Sequence, residues 1–179
     1  MKINNISIKE RIKEHFFINP SSKMRVREIE RKLKLPLPSV IRYCKELKAE
    51  EILMQILLGN SSFYTADKSN ANFLLEKRLF NIKSIYRYNL IEFLRGELSN
   101  PSIIVFGSYS KGEDIEDSDI DLYIETSSKK EVNLAEFEKK LSRKIQLFRH
   151  KNIAKIKNNN LINNIMNGIS LNGFVEVIK

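Results

Sequence analysis

Apolar side chains recur at helical spacing along the first fifty residues of the chain. Ile8, Ile12 and Phe16 lie four residues apart, which predicts an amphipathic first helix. The same spacing predicts a second helix at about 27–34 and a third at about 38–49. Three short helices joined by brief turns are therefore expected at the start of the chain.

The outer face predicted for the third helix carries basic and hydroxyl groups. Its residues are Ser39, Arg42, Tyr43, Lys45 and Lys48. Two apolar segments follow, 52–58 and 63–65, and the Gly59–Ser62 stretch between them predicts a β-hairpin. A basic helix that follows another across a tight turn, with a hairpin after it, is the arrangement of a winged helix-turn-helix.

This part of the chain resembles archaeal winged-helix domains, including the Val26-Arg27-Glu28-Ile29 sequence that opens the second helix. The resemblance implies a winged helix-turn-helix domain over residues 1–66. Its contacts with duplex DNA are then expected from Ser39, Arg42, Lys45 and Lys48. A domain of this kind that only packs against a protein partner is the alternative.

The rest of the chain alternates between helical and strand patterns. A helical pattern runs from about 70 to 98 and links the two parts, and the apolar run 103–106 predicts a strand buried on both faces. The pattern also predicts strands at about 119–124 and 144–148, helices at 134–141 and 161–168, and a terminal hairpin of 169–171 and 174–177 around Asn172-Gly173. This mixture predicts an α+β fold.

Residues suited to bind phosphate and metal ions cluster between positions 103 and 124. Gly107 and Ser108 directly follow the buried strand. Glycine lets the backbone approach a phosphate, and the serine hydroxyl can donate to a phosphate oxygen. Asp119 and Asp121 are two residues apart, so in a strand both carboxylates project from one face. Because neighbouring carboxylates repel each other, a hard divalent cation such as Mg²⁺ is expected to offset their charge.

The order of apolar strand, Gly-Ser, ten residues and Asp-x-Asp resembles the signature of the polymerase-beta-type nucleotidyltransferase superfamily. Residues 105–113 and 117–122 look like those of its small prokaryotic members, the minimal nucleotidyltransferases. The resemblance implies a mixed β-sheet flanked by helices over residues 67–179, which include the linking helix at about 70–98. It also implies an enzyme that transfers a nucleoside monophosphate (NMP) from NTP to an acceptor and releases pyrophosphate.

The roles of individual residues follow from this resemblance. Asp119 and Asp121 are expected to be catalytic and to hold Mg²⁺ or Mn²⁺, and Gly107 and Ser108 are expected to contact the triphosphate. Lys111 stands where relatives often have arginine, so we expect a further phosphate contact there. Small relatives often act as antitoxins that nucleotidylate a paired HEPN-type toxin. The expected acceptor is therefore a protein, such as a toxin of this type, or an RNA.

One position departs from the superfamily pattern. Active members usually carry a third carboxylate on a neighbouring strand, and Gln146 stands where we expect it. An amide is uncharged and cannot act as a base at neutral pH. Glu138 and Glu176 are the alternatives if the alignment of this strand is shifted. The sequence therefore predicts either an active enzyme or a DNA-binding regulator whose second domain binds NTP without turnover.

The composition of the chain indicates what kind of partner and which cell compartment to expect. The chain has 31 Lys and Arg against 22 Asp and Glu, a net charge of +9 that favours a polyanionic partner. Cys44 is the single cysteine, so no intramolecular disulfide forms, as is typical of a reducing compartment. The apolar segment 52–58 falls far short of the ~20 residues that cross a bilayer. We therefore expect a cytoplasmic protein without a membrane contact.

Overall fold

The computed structural model describes residues 6–176. The chain divides into two compact units, the first ending at Lys77 and the second beginning at Arg78. The domain boundary expected between residues 66 and 67 falls at the end of the hairpin and stays a prediction. No helix among the described residues is long and apolar enough to span a membrane.

The first unit contains three helices followed by a two-stranded antiparallel hairpin, as the periodicity predicts. Ser7 caps the first helix by accepting a hydrogen bond from the Glu10 backbone N–H at 3.1 Å. The elements are α1 (Ile8–Ile18), α2 (Val26–Leu33), α3 (Leu37–Ala49), β1 (Leu53–Leu58) and β2 (Ser61–Ala66).

Most positions of the predicted apolar stripes form the buried core of this unit, but Ile41 of α3, which its spacing predicts to be buried, is exposed. Its fully buried side chains include Ile12, Phe16, Ile29, Val40, Cys44 and Leu47. Burial raises the pKa of the Cys44 thiol to about 12, so this cysteine stays protonated at neutral pH and acts as a small apolar residue.

His15 on α1 makes the stability of the protein depend on pH. Burial, together with the charge of Lys32, lowers the pKa of its imidazole to about 4. In the unfolded chain the same group titrates near its ordinary value of about 6.5. The stability is therefore complete above this value and falls as the pH drops from it towards 4.

We expect the free energy of unfolding to fall by about 2 kcal/mol between pH 7 and pH 4.5 on account of His15, a figure reduced for residual solvent exposure. Urea unfolding of the full chain at both pH values measures this change. Other groups also titrate in this range, so the comparison is with His15→Gln, which should lose that part of the dependence. Equal pH dependence in the two proteins would contradict the assignment.

The helical pattern at about 70–98 forms two helices rather than the single linking helix expected. Helix α4 (Ala71–Arg87) spans the division between the units, and α5 (Leu90–Glu97) follows it. The break lies at Asn89, which has a left-handed backbone with φ 58°. Asparagine tolerates this conformation better than most residues, and the helical periodicity does not reveal it.

A four-stranded mixed sheet forms the centre of the second unit, which agrees with the predicted α+β fold. The strand order is β5-β4-β3-β6, with β4 and β5 parallel and the other two pairs antiparallel. The strands are β3 (Ser102–Phe106), β4 (Ile120–Glu125), β5 (Ile145–His150) and β6 (Ile169–Asn172). The remaining α-helices are α6 (Gly107–Lys111), α7 (Ala135–Leu141) and α8 (Asn159–Met166).

Both faces of the sheet are apolar. One face packs Val105 and Leu122 into a cluster that contains Leu90 and Leu94 of α5. The other face packs Phe106 and Tyr123 into a second cluster with Ile165 of α8. Strand β3 is therefore buried on both sides, as its continuous apolar sequence predicts.

The predicted terminal hairpin is wrong over the described residues. Residues 169–172 form β6, but 174–176 form no strand, and Val177 lies outside the described residues. Strand β6 instead pairs with β3, whose free edge offers a partner for its backbone groups. The Ser102 hydroxyl of β3 donates a hydrogen bond to the Phe174 carbonyl at 2.7 Å. This bond ties the residues that follow β6 to β3.

Candidate active site

Two carboxylates lie at the start of β4. The alternation of this strand buries Ile120 and Leu122, so Asp119 and Asp121 share the opposite side, as the sequence predicts. Asp119, just before the strand, is exposed, and Asp121 is half-buried. Burial, and secondly the charge of Asp119, raises the pKa of the Asp121 carboxyl above its ordinary value. The pair therefore gains from a bound cation.

Gly107 lies directly against Asp121. It follows β3 as the first residue of α6, so the predicted Gly-Ser turn opens a short helix. Its φ is +72°, and a Cβ built on it would approach Asp121 Oδ2 to 2.5 Å. Only glycine combines this backbone conformation with such close contact. The structure therefore brings the predicted phosphate turn and one predicted metal ligand together.

We expect Gly107→Ala to weaken NTP binding at least about tenfold, because its methyl group forces the Asp121 carboxylate to move. The strained backbone should also cost about 1 kcal/mol of stability. Calorimetry with NTP and metal, beside thermal unfolding, measures both effects.

Gly59→Ala is the matched control for this substitution. Gly59 has a similar φ of +57°, but a Cβ there meets nothing within 4 Å. It should therefore lose comparable stability and keep full NTP affinity. If both variants bind NTP as the wild type does, Gly107 does not support the site.

Gln146 is the register partner of Asp121. The parallel pairing of β4 with β5 sets these two residues side by side, so their side chains share a face of the sheet. The side chain of Gln146 is exposed and makes no hydrogen bond to another described residue. The position expected to hold a third carboxylate is thus adjacent to the Asp119–Asp121 pair and carries an amide.

Residues 87–171 match the model of the family described as the nucleotidyltransferase domain. The match supports the nucleotidyltransferase superfamily for this part of the chain, which we call the nucleotidyltransferase region. It contains every element of the site from β3 to β5. The chain matches no curated protein and no solved structure.

The other residues expected to act in the nucleotidyltransferase region lie close to the same motif. Ser108 is half-buried in the first turn of α6, and Lys111 is exposed at its last position. Neither side chain bonds to a described residue, so both remain available to a ligand. The alternative third carboxylate Glu138 accepts a hydrogen bond from the Ile145 backbone N–H at 2.9 Å and holds the start of β5. The second alternative, Glu176, is exposed and outside any strand.

An open cleft of about 570 Å³ adjoins the motif at Asp119. Lys144, which belongs to the basic run 139–157, lines it together with this carboxylate. Its remaining lining residues are Glu116, Asp117, Ser118, Glu138, Ser142 and Arg143.

The oxygen donors of the nucleotidyltransferase region fit a hard divalent cation. Nucleotidyltransferase domains typically use such ions, and carboxylate oxygens are the ligands that Mg²⁺ and Mn²⁺ prefer. Burial, and secondly the neighbouring Asp119 carboxylate, raises the pKa of Asp121, and a bound cation would offset both effects. Among the described residues, no group of three or more His, Cys, Asp or Glu side chains could hold a metal ion. Asp119 and Asp121 are the paired carboxylates that could hold such an ion.

The residues expected to contact DNA lie on α3 in the first unit. Arg42, Lys45 and Lys48 are exposed, and Ser39 is half-buried near the start of the helix. The Arg42 guanidinium stacks over the Tyr43 ring, 4.3 Å from its centroid, and Lys48 donates to the Gln55 side chain of β1 at 3.0 Å. These contacts keep two of the basic groups on the outer face of α3.

Proposed function

We propose that this chain transfers NMP from NTP to a protein or RNA acceptor with the help of Mg²⁺ or Mn²⁺. The observation that carries the proposal is the contact of Gly107 with the partly buried Asp121, beside Asp119. A glycine turn for phosphate and two carboxylates for a cation are thus adjacent. The match of residues 87–171 to the nucleotidyltransferase domain supports NTP as the substrate.

Each residue of the motif has a defined part in this proposal. Gly107 and Ser108 bind the triphosphate through the backbone and the hydroxyl, and Lys111 adds a positive charge. Asp119 and Asp121 hold the cation, which supplies charge stabilisation as negative charge builds up on the phosphates. The acceptor hydroxyl forms a bond to the α-phosphorus, the α–β phosphoanhydride bond breaks, and pyrophosphate leaves.

The proton of the acceptor hydroxyl has no receiving base at Gln146, since an amide cannot take it. The proton therefore passes to solvent, and the transfer is slow for a site of this kind. This consequence fits an enzyme that modifies a few target molecules. A HEPN-type toxin is a protein acceptor of this description, and its nucleotidylation would make the chain an antitoxin.

The experiment that tests this proposal incubates the full chain with each α-labelled NTP, Mg²⁺ or Mn²⁺, and cell extract. We expect label in one macromolecule, a preference for one NTP, and complete loss of labelling with a chelator. No labelling with any of the four NTPs in either metal would overturn the transferase proposal.

The alternative function is a DNA-binding regulator whose nucleotidyltransferase region binds NTP without turnover. It is favoured by the exposed Arg42, Lys45 and Lys48 on α3, which follows α2 and precedes the hairpin. These features also support our assignment of a winged helix-turn-helix to residues 1–66. The two functions differ in whether NTP is consumed.

We expect the full chain to bind duplex DNA with an affinity that falls steeply as salt rises, because contacts with phosphates release counterions. Replacing Arg42, Lys45 and Lys48 with alanine should remove most of the binding. The matched control replaces Lys129, Lys139 and Lys151, three exposed lysines of the second unit, and should bind as the wild type does. Equal loss in both variants would show that binding follows net charge rather than α3.

A further inference from the structure

An ion pair is buried inside the second unit, close to the motif but not part of it. Arg143 Nη2 lies 3.1 Å from Asp114 Oδ2, and the two side chains are 4% and 1% exposed. Asp114 belongs to the segment between α6 and β4, and Arg143 comes just before β5. The pair therefore joins two segments that are distant in sequence.

Asn81 of α4 extends this pair into a network. Its Nδ2 donates to Asp114 Oδ1 at 2.7 Å and to the Tyr109 carbonyl of α6 at 2.9 Å. Tyr109 donates its hydroxyl to the Asn81 carbonyl at 3.4 Å and is itself buried. We call Asn81, Tyr109, Asp114 and Arg143 the buried network. It ties together α4, α6, the segment after α6 and the start of β5.

The residues of the buried network lie on the same chain segments as the site residues, or next to them. The segment that contains Asp114 begins at the end of α6, whose first residues are Gly107 and Ser108, and ends at Asp119. On the opposite side, the Lys144 carbonyl next to Arg143 accepts a hydrogen bond from the Ile120 N–H at 2.8 Å. The network thus holds chain segments that lead directly to both ends of the motif and to the strand that carries Gln146.

Stability alone does not account for a buried ion pair. Removing two charges from water costs about as much as their attraction returns, and apolar residues of similar size are often as stabilising. A charged pair with additional hydrogen bonds instead has strict directional requirements. Apolar side chains would fill the same space without fixing the direction in which the loop leaves the core.

We infer that Asp114 and Arg143 are positioning residues of the nucleotidyltransferase region. Through Asn81 and Tyr109 they set where Gly107 and Ser108 lie relative to Asp119 and Asp121. Both side chains are buried, so their part is to hold these segments in place rather than to bind the nucleotide. This inference rests on the proposed function, because the geometry that it explains is that of the triphosphate and cation site.

The test replaces the pair with apolar residues in Asp114→Leu with Arg143→Met. We expect a melting temperature near that of the wild type, NTP affinity lowered about tenfold, and transfer slowed about 10²-fold by misplacement of the reacting groups. Amide hydrogen exchange should accelerate at least about tenfold in residues 107–119, while the β3–β4 amides stay protected. A folded variant with unchanged exchange and transfer would overturn the inference.

A fully unfolded double variant would also count against the inference, since the pair would then support the fold as a whole. Asn81→Ala is the milder second variant. It keeps the Asp114–Arg143 ion pair but removes the hydrogen bonds from the Asn81 side chain to Asp114 and to the Tyr109 carbonyl of α6. It should accelerate exchange in residues 107–112, and unchanged exchange there would equally contradict the inference. The matched control is Glu136→Leu with Lys140→Met, an exposed ion pair of α7, which should change neither measurement.

Hydrogen exchange separates this inference from the proposed function. If the wild type neither binds nor transfers NTP, the proposed function fails. The exchange of residues 107–119 in the unliganded protein still reports whether the buried network positions this segment.

Discussion

The double substitution Asp119→Ala with Asp121→Ala should abolish the metal dependence of NTP binding and leave the fold intact. Both carboxylates lie at the solvent-facing start of β4, so their loss removes repulsion rather than core contacts. A cation that contacts phosphate stabilises its negative charge by several kcal/mol. We therefore expect NTP affinity in the presence of metal to fall at least ~100-fold. Calorimetry with and without metal measures the change, and thermal unfolding verifies the fold.

The control removes two other carboxylates, from the segment before β4, in Glu113→Ala with Asp117→Ala. Both residues are exposed, and the change in net charge is identical. This variant should keep metal-dependent binding, because long-range charge is screened by salt. Metal-dependent binding that survives equally in both variants would show that Asp119 and Asp121 do not hold the cation.

The second large effect concerns Gln146, which lies beside Asp121 in the parallel register. We expect Gln146→Asp to accelerate nucleotidylation of the acceptor by ~10²–10⁴-fold, the usual contribution of a positioned base. The substitution shortens the side chain by one methylene group and restores the third negative charge. Mn²⁺ should support the variant better than Mg²⁺, and NTP affinity should change little.

Gln146→Asn is the matched control, because it has the same length as Gln146→Asp without the charge. Acceleration by aspartate alone would assign the effect to the carboxylate. The contrary result is a wild type that already transfers NMP rapidly, at a rate that neither Gln146→Asp nor Gln146→Ala changes. The third carboxylate would then lie at another position, and our alignment of β5 would be wrong.

Short-range periodicity predicted most of the helices and strands, because an element that buries one face carries apolar residues at a regular spacing. In α3 the predicted stripe residues Val40, Cys44 and Leu47 are fully buried and Ile41 is not, and the apolar run of β3 is buried on both faces. Spacing also predicted which carboxylates share a side, since alternation along β4 leaves no choice once Ile120 is buried. These features depend only on neighbours along the chain.

Features that leave no periodic signal in the sequence were missed. The helix break at Asn89 is a single left-handed residue within an unbroken helical pattern. The final segment pairs with β3 rather than with itself, because a free sheet edge satisfies its backbone groups. Asp114 and Arg143 belong to acidic and basic runs that look solvated in the sequence, and only the fold brings them together in the interior.

The position of the label in NTP tests the central claim most directly. Transfer of NMP keeps the α-phosphate on the acceptor and releases the β- and γ-phosphates as pyrophosphate. With wild-type protein, metal and cell extract, we predict acceptor labelling from α-labelled but not from γ-labelled NTP, and none with Asp119→Ala, Asp121→Ala. Labelling from γ-labelled NTP, or α-labelling that persists in the double variant, would contradict NMP transfer at this site.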